Sequence, residues 1–204
     1  MRPPHPKRIL DVAGATFLLV VLLPLELAVL AAYAADVLLS PRDRGALFYR
    51  EPRVSRGRTF GLLKFRTLRM EVLAHAAGHA RPLEADPSNL TWLGRRVLKR
   101  WYLDELPQLW NILRGDLSLV GPRPWPPELV ERQRAEGLTY RDDLTAGLTG
   151  PAQLTKGSSR RYADLDLEYL DRTRRLKAWG LVRYDLKILV LTIRLMARGE
   201  GLSN

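Results

Sequence analysis

Near its N-terminus the chain has an almost unbroken run of apolar side chains. The run covers 12–37 and is interrupted by only a few residues, among them Pro24 and Glu26. A helix needs about 20 apolar residues to cross a bilayer, so the run is long enough to be a membrane segment. We therefore expect 1–40 to form a membrane anchor and 41–204 to form a separate cytoplasmic domain.

Three features favour a re-entrant helix, which enters and leaves the membrane on one side. Pro24 lies in mid-segment, where a proline removes a helix hydrogen bond and bends the chain, and Glu26 is tolerated only near an interface. Both flanks are basic, and the positive-inside rule therefore places both ends in the cytoplasm. The flanking residues are Arg2, Lys7, Arg8, Arg42, Arg44, Arg50 and Arg53. A straight spanning helix and a buried helix of a soluble protein are the alternatives.

The pattern behind the anchor predicts a small α+β domain dominated by helices. Two strand-like runs, 46–50 and 59–66, are separated by turn residues and predict a short β-hairpin. The stretch 138–160 is rich in Gly, Thr and Ser and is predicted to be a loop. Helices are predicted over 68–80, 90–100, 126–137, 162–177 and 181–198. The last one has an apolar face and a basic face, which suits a membrane surface or packing against the core.

Charge narrows the class of partner. The 204 residues include 33 Lys and Arg against 22 Asp and Glu, which gives a formal net charge of +11. Such a surface suits nucleic acids, anionic lipids or nucleotide substrates. Cysteine is absent, which excludes disulfides, a thiolate nucleophile and a cysteine-based zinc site. No Walker-type loop or Gly-x-Gly-x-x-Gly element occurs.

An acidic pair, Asp104 and Glu105, lies among basic residues. Lys99 and Arg100 precede the pair, and Arg114 follows it. A carboxylate can attack phosphorus, and a neighbouring carboxylate can act as an acid–base partner or position a divalent cation. The structural alternative is a helix that starts at Asp104 as its N-cap, with Glu105 in the first turn.

Two further sites present cations. Arg123 lies between Pro122 and Pro124, so a rigid turn presents a guanidinium whose shape suits a phosphate. Lys64 and Arg66 are two residues apart on a predicted strand, so both cations are expected on one face. A solvated turn arginine and a basic sheet face are the alternatives.

Five blocks, in order along the chain, resemble one family. They are the basic Arg8-x-x-Asp11 with the apolar segment behind it, Lys64-Phe65-Arg66-Thr67, Leu103-Asp104-Glu105-Leu106-Pro107-Gln108-Leu109, Gly115-Asp116-Leu117-Ser118-Leu119-Val120-Gly121-Pro122-Arg123-Pro124, and Gly147-Leu148-Thr149-Gly150-Pro151-Ala152-Gln153. Together they resemble the bacterial sugar transferases, the small monotopic polyprenyl-phosphate phosphoglycosyl transferases that initiate glycan assembly. The resemblance runs from Lys7 to about Arg194, and the Gly-Pro-Arg-Pro block is highly specific.

The resemblance implies a reaction and a set of site residues. Asp104 would attack the β-phosphorus of a UDP-sugar, release UMP and contact Mg²⁺, and Glu105 would assist. A covalent aspartyl phosphosugar would then pass its sugar 1-phosphate to polyprenyl (undecaprenyl) phosphate. The residues expected to bind substrate or phosphate are Lys64, Lys99, Arg123 and Gln153. Pro24 would bend the re-entrant helix.

The resemblance also implies a setting. The catalytic domain would rest on the cytoplasmic face of the bacterial inner membrane, in contact with its lipids, and would bind no nucleic acid. The reaction would be the first membrane step of exopolysaccharide, O-antigen, capsule or glycoprotein glycan synthesis. Two alternatives are a membrane-tethered nucleic-acid-binding protein, motivated by the charge of +11, and a catalytically dead scaffold of the same fold.

Two single positions and one loop depart from the family pattern. Leu23 precedes Pro24 where the family usually has serine, and Tyr102 replaces the usual serine before Leu-Asp-Glu. The loop 145–153 lacks the usual arginine and tryptophan, and Lys156 or Arg160 is a candidate for the arginine's role. These changes leave the acidic pair intact.

Overall fold

A computed structural model describes residues 3–75, 80, 82–155 and 161–198, and helices dominate this part of the chain. The helices and strands are α1 His5–Leu39, β1 Phe48–Ser55, β2 Arg58–Phe65, α2 Met70–Ala74, α3 Gln108–Arg114, β3 Ser118–Val120, α4 Pro127–Ala135, α5 Tyr140–Asp143, β4 Gly147–Thr149, α6 Pro151–Leu154, α7 Tyr162–Arg175 and α8 Ala178–Ala197. The predicted helix-dominated α+β class is confirmed.

The apolar run forms one continuous helix, α1, which contains Pro24. Within the described residues it is the helix long and apolar enough to cross a membrane, and only 11% of its most apolar window is buried. Large side chains such as Phe17, Val20 and Leu27 are exposed. A core helix of a soluble protein would bury these side chains, so their exposure argues against that alternative.

The described residues pack into two compact units. One consists of 1–15, 53–60 and 112–204, and the other of 16–52 and 61–111, apart from the positions that are not described. This division follows packing within the fold. The predicted division at residue 40 concerns membrane and cytoplasm, and it stays a prediction.

In the unit that contains the C-terminus, β3 and β4 pair in parallel, with Ser118 opposite Gly147 and Val120 opposite Thr149. The predicted loop 138–160 is wrong over its first two-thirds, because α5, β4 and α6 lie there. These elements are three or four residues long and therefore show no periodicity, and β4 is defined by its pairing with β3. Residues 156–160 lie outside the described part. The predicted helices of the last 40 residues are confirmed as α7 and α8.

In the other unit, a buried cluster of Val29, Phe65, Leu93 and Leu98 packs α1 against β2 and the segment behind it. The strands β1 and β2 form the predicted hairpin; its turn residues Arg56 and Gly57, which belong to the unit that contains the C-terminus, both have positive φ. The first strand extends to Ser55, well past the predicted end, because arginines and Pro52 concealed its alternation.

Two helix predictions in this region are too long. The stretch predicted over 68–80 is helical only at Met70–Ala74, and residues 76–79 lie outside the described part. The stretch predicted over 90–100 is helical over 92–98, with a turn of π type at Gly94–Leu98. Gly94 lies against the strand end, where an added Cβ would be 2.4 Å from the Thr67 carbonyl oxygen. This close approach requires glycine.

Candidate active site

Asp104 lies inside a single 3₁₀ turn, Leu103–Glu105, which precedes α3. The prediction that Asp104 caps a helix is therefore wrong, because α3 begins only at Gln108, after Pro107. The Asp104 side chain is 2% exposed. Its Oδ2 atom accepts a hydrogen bond from Lys99 Nζ at 2.9 Å, whereas its Oδ1 atom has no hydrogen-bond partner among the described residues.

Lys99 bridges two carboxylates. Its Nζ atom is 2.9 Å from Asp104 Oδ2 and 2.6 Å from Glu84 Oε2. Glu84 also accepts a hydrogen bond from Thr67 Oγ1 at 2.8 Å, so the bridge is fixed at both ends. Sequence reasoning missed Glu84, because it lies in a proline-flanked loop where no pattern singles out one acidic residue.

Lys64 connects the hairpin to the acidic pair. Its Nζ atom is 3.2 Å from Glu51 Oε2 on the neighbouring strand and 3.9 Å from Glu105 Oε1. Glu51 is buried and was also missed, since it lies one residue past the end of the predicted strand 46–50. The structure thus brings together Lys64, Lys99, Asp104 and Glu105, and their chemical roles stay predictions.

Arg66 does not share the face of Lys64, and that prediction is wrong. The guanidinium is buried and donates hydrogen bonds to the carbonyl oxygens of Ala46, Leu68 and Asp43. A buried arginine with this set of acceptors holds the main chain together, because each backbone carbonyl needs a partner. Arg66 is therefore a structural residue.

The electrostatics of the pair follow from burial. Burial raises the pKa of the Asp104 carboxyl above its ordinary value, the charge of Lys99 opposes this rise, and the charge of Glu105 adds to it. For Lys99, burial lowers the pKa, but the charges of Asp104 and Glu84 outweigh it and leave the pKa raised. The arrangement is a desolvated carboxylate that one lysine keeps charged and oriented, which suits a nucleophile.

Arg123 and Gln153 belong to the other compact unit. The Arg123 side chain is exposed, and its carbonyl oxygen accepts a hydrogen bond from Arg141 Nη1 at 2.6 Å. Gln153 lies on α6, and its side-chain amide atoms are buried without a hydrogen-bond partner among the described residues. Lys156 and Arg160, the candidates for the missing arginine, lie outside the described part.

The two glycine-containing blocks of this unit lie against each other. A Cβ added to Gly147 would be 2.0 Å from Gly121 N, and one added to Gly150 would be 2.2 Å from the Gly121 carbonyl oxygen. Only glycine allows the backbones to approach so closely. The turn that carries Arg123 is thus packed directly on the loop that leads to Gln153.

A magnesium ion at this site would be held by few protein side chains among the described residues. No group of three or more acidic or histidine side chains that could hold a metal occurs within the described ranges. Mg²⁺ is commonly held by one or two carboxylates together with substrate phosphates and water. The unpartnered Oδ1 atom of buried Asp104, with Glu105 beside it, fits that mode of binding.

A buried carboxylate between cations, beside a second carboxylate, is the kind of site that acts on phosphate groups. The family model described as bacterial sugar transferase matches residues 4–199, and the chain belongs to that family.

Curated relatives give this membership more detail. An undecaprenyl-phosphate glucose phosphotransferase of Komagataeibacter xylinus is 33% identical over 202 residues, which are 92% of this chain and 35% of that protein. The UDP-glucose:undecaprenyl-phosphate glucose-1-phosphate transferase of Escherichia coli is 33% identical over 92% of this chain and 39% of that protein. The uncharacterized sugar transferase EpsL of Bacillus subtilis is 33% identical over 96% of this chain and 89% of that protein. The chain thus spans little more than a third of the first two relatives.

Proposed function

We propose that the chain is a phosphoglycosyl transferase, which moves a sugar 1-phosphate from a UDP-sugar to polyprenyl phosphate and releases UMP. The observation that carries this proposal is the Asp104 carboxylate, which is buried, paired with Lys99 through one oxygen and without a partner at the other. The names of the Komagataeibacter and Escherichia relatives support the substrate class.

In the first step, Asp104 attacks the β-phosphorus of the donor. A bond forms between a carboxylate oxygen and phosphorus, and the bond from that phosphorus to the bridging oxygen breaks, so its electron pair leaves with UMP. Lys99 orients the carboxylate from 2.9 Å away. The product is an aspartyl phosphosugar, and the burial of Asp104 protects this acyl phosphate from water.

In the second step, a phosphate oxygen of the lipid acceptor attacks the same phosphorus. The acyl phosphate bond breaks, the Asp104 carboxylate is restored, and the product is a polyprenyl diphosphate sugar. Glu105 is more exposed than Asp104, and it lies 3.9 Å from Lys64 Nζ. Its exposure supports a role in accepting a proton from the incoming lipid phosphate.

Charge neutralisation accompanies both steps. Mg²⁺, held by Asp104 and the substrate phosphates, would supply electrostatic stabilisation of the charge that develops on the oxygens around phosphorus. Lys64, Lys99 and Arg123 supply fixed positive charge for the diphosphate. Gln153 offers an amide that has no partner among the described residues and so could bind the donor.

The apolar helix is proposed to be re-entrant, with the catalytic part on the cytoplasmic face of the inner membrane. Near its start, Asp11 Oδ1 accepts hydrogen bonds from Ser118 Oγ at 2.8 Å and from Leu119 N at 3.0 Å. Near its end, Asp36 Oδ2 accepts a hydrogen bond from Leu93 N at 3.4 Å. Each end is thus hydrogen-bonded to a segment that follows the helix in the sequence, and this supports the proposal.

The reaction would be the first membrane step in building an exopolysaccharide, O-antigen, capsule or protein-linked glycan. Relatives named for exopolysaccharide production and for galactosyl or glucosyl transfer support this setting. The names of the relatives lend no support to nucleic-acid binding. A catalytically dead scaffold is disfavoured because the Asp104–Lys99 pair is fully assembled.

A half-reaction without acceptor tests the proposal. Purified full-length protein, Mg²⁺ and a series of UDP-sugars should release about one UMP per active site with the correct donor, as expected of ping-pong catalysis. The peptide that contains Asp104 should gain the mass of one sugar phosphate. Asp104→Asn should abolish both signals, whereas Asp86→Asn, a matched change at an exposed residue, should keep both.

Two other results would change the mechanism. A fully active Asp104→Asn protein would exclude the aspartyl intermediate. UMP release that requires the lipid would indicate direct attack by the lipid phosphate in a ternary complex. Glu105→Gln should retain part of the initial UMP release but lose turnover, because the second step depends on its carboxylate.

A further inference from the structure

The segment 92–101 is amphipathic in an unusual way. Leu93 and Leu98 are buried in the cluster that also contains Val29 of α1. The opposite side carries a set of exposed aromatic and basic side chains, which we call the Trp92–Trp101 face. Its members are Trp92, Arg95, Arg96, Arg100 and Trp101.

The three arginines of this face converge. Arg95, Arg96 and Arg100 line an open depression of about 330 Å³. None of the three has a carboxylate partner among the described residues, in contrast to Arg161, Arg174 and Arg175, which are exposed and each pair with an aspartate. Three unneutralised guanidinium groups around one space repel each other unless an anion lies between them. The forked N–H donors of arginine match the geometry of a phosphate or a carboxylate.

The tryptophans identify the surroundings of that anion. Trp92 is 52% exposed and Trp101 is 66% exposed, and the Arg100 guanidinium lies 5.9 Å from the Trp101 ring centroid. An exposed indole is costly in water but favourable at the headgroup level of a bilayer, where one edge is apolar and the other is wet. Arginine side chains also reach from apolar surroundings to that level.

The main chain fixes the face beside the end of the apolar helix. Trp92 N donates to Asp43 Oδ2 at 3.0 Å, and Leu93 N donates to Asp36 Oδ2 at 3.4 Å. Asp36 lies in the last turns of α1, and Asp43 lies in the turn directly after it. If α1 is embedded in the membrane, the face lies where the chain returns to water.

We propose that the Trp92–Trp101 face binds the phosphate groups of anionic phospholipids such as phosphatidylglycerol. The three arginines would contact the phosphodiester, and the two indole rings would lie among the headgroups. A zwitterionic headgroup is disfavoured because its own cation would enter a depression already lined by cations. The proposal rests on the membrane placement of α1 and is independent of the transfer chemistry at Asp104.

The expected effect is large enough to measure. One basic residue near an anionic membrane surface strengthens binding about fivefold, so three together correspond to on the order of a hundredfold. Full-length protein in neutral detergent should be titrated with short-chain phosphatidylglycerol and, separately, with short-chain phosphatidylcholine. Native mass spectrometry counts the lipids that bind, and added salt should weaken binding of phosphatidylglycerol alone.

The test variant is Arg95→Gln/Arg96→Gln/Arg100→Gln. The matched control is Arg132→Gln/Arg174→Gln/Arg175→Gln, which removes the same charge from exposed positions on α4 and α7. The test variant should bind both lipids equally, whereas the control should keep the preference for phosphatidylglycerol. The thermal unfolding midpoint and the release of UMP without acceptor show separately whether each variant is folded and whether the proposed transfer is correct.

Three outcomes would overturn the proposal. Equal binding of the two lipids by the unmodified protein would show that the face has no preference for anionic headgroups. Equal losses in the test variant and the control would show a general effect of net charge. Displacement of phosphatidylglycerol by an equimolar polyprenyl phosphate, with a raised acceptor KM in the test variant, would assign the depression to the acceptor.

Discussion

The side chain of Arg141 holds the main chain of Arg123, because Arg141 Nη1 donates a hydrogen bond to the Arg123 carbonyl oxygen at 2.6 Å. Arg141 is itself fixed: its Nε atom donates to Gln133 at 2.8 Å, and its Nη2 atom donates to Asp166 at 3.2 Å. The guanidinium also lies 4.3 Å from the centroid of the Trp125 ring. The turn that presents Arg123 thus depends on a buried arginine outside the turn.

Replacing Arg141 by lysine should loosen this turn while keeping the charge. A lysine cannot contact Gln133, Asp166 and the Arg123 carbonyl at once, because it lacks the planar fork. We expect the KM for the UDP-sugar to rise about tenfold, with a smaller change in kcat, in steady-state assays of UMP release. Arg134→Lys is the control, since Arg134 pairs with exposed carboxylates only. An unchanged KM, or the same change in the control, would contradict this role.

Arg123 itself should be more sensitive to a conservative change. Arg123→Lys keeps the positive charge but loses the two parallel hydrogen bonds that a guanidinium makes to a phosphate. We expect a loss of activity of at least about tenfold and little change in the thermal unfolding midpoint, because this side chain is exposed. Near-normal turnover of Arg123→Lys would show that Arg123 is only a solvated turn residue.

The sequence predicted the helices that have a long apolar run or a regular apolar spacing, and the site residues that belong to a specific motif. The apolar run predicted α1, the apolar spacing near the C-terminus predicted α7 and α8, a motif block contained Asp104, and the family resemblance implied Lys99. The elements that it missed, β4 above all, have no local signal, because they exist through pairing with a distant strand.

The missed site residues have a common physical cause. Glu51 and Glu84 are acidic residues whose roles depend on Lys64 and Lys99, which are 13 and 15 residues away in sequence. No helix or strand period relates such pairs, so only the folded backbone brings them together. The same holds for Arg66, which was expected on one strand face with Lys64, although its guanidinium donates to three backbone carbonyls.

If α1 is re-entrant, both of its ends should be accessible from the same side of the membrane. The chain has no cysteine, so single cysteines can be introduced without background. Cysteines at Arg2 and at Arg44 should both react with a membrane-impermeant reagent only when the cytoplasmic side is open. Labelling of the first position from the periplasm alone would show a spanning helix.

Pro24 provides the matching mutation. Pro24→Leu restores a backbone hydrogen-bond donor in the middle of the apolar run and removes the cause of a bend. We expect a fraction of the molecules to insert as a straight spanning helix, with the N-terminus accessible from the periplasm. Leu23→Ala is the control, because it changes the neighbouring exposed side chain without adding a donor. An unchanged topology in Pro24→Leu would show that the contacts of Asp11 and Asp36 fix the two ends without the proline.

The pairing of Lys99 with Asp104 bears on how the rate of the first half-reaction depends on pH. The attacking carboxylate must be ionised, so the rate of UMP release without acceptor should fall as the pH drops through the pKa of Asp104 in the folded protein. Burial raises that pKa above the ordinary aspartate value, so the fall should begin at a higher pH than for a surface aspartate. The charge of Lys99 limits the rise.

Lys99→Met should therefore move the acidic limb of this pH profile to higher pH. Because the folded-state pKa of Asp104 is raised, protonation of Asp104 stabilises the fold below its ordinary pKa, and this contribution is lost as the pH rises. The unfolding midpoint of Lys99→Met should consequently decline more steeply with rising pH than that of the unmodified protein. Single-turnover UMP release and thermal unfolding over the same buffers measure both effects.

Lys187→Met, at an exposed position of α8, should change neither profile. A lower rate of UMP release in Lys99→Met, with the acidic limb of the pH profile unmoved, would mean that Lys99 binds substrate phosphate without changing the pKa of Asp104.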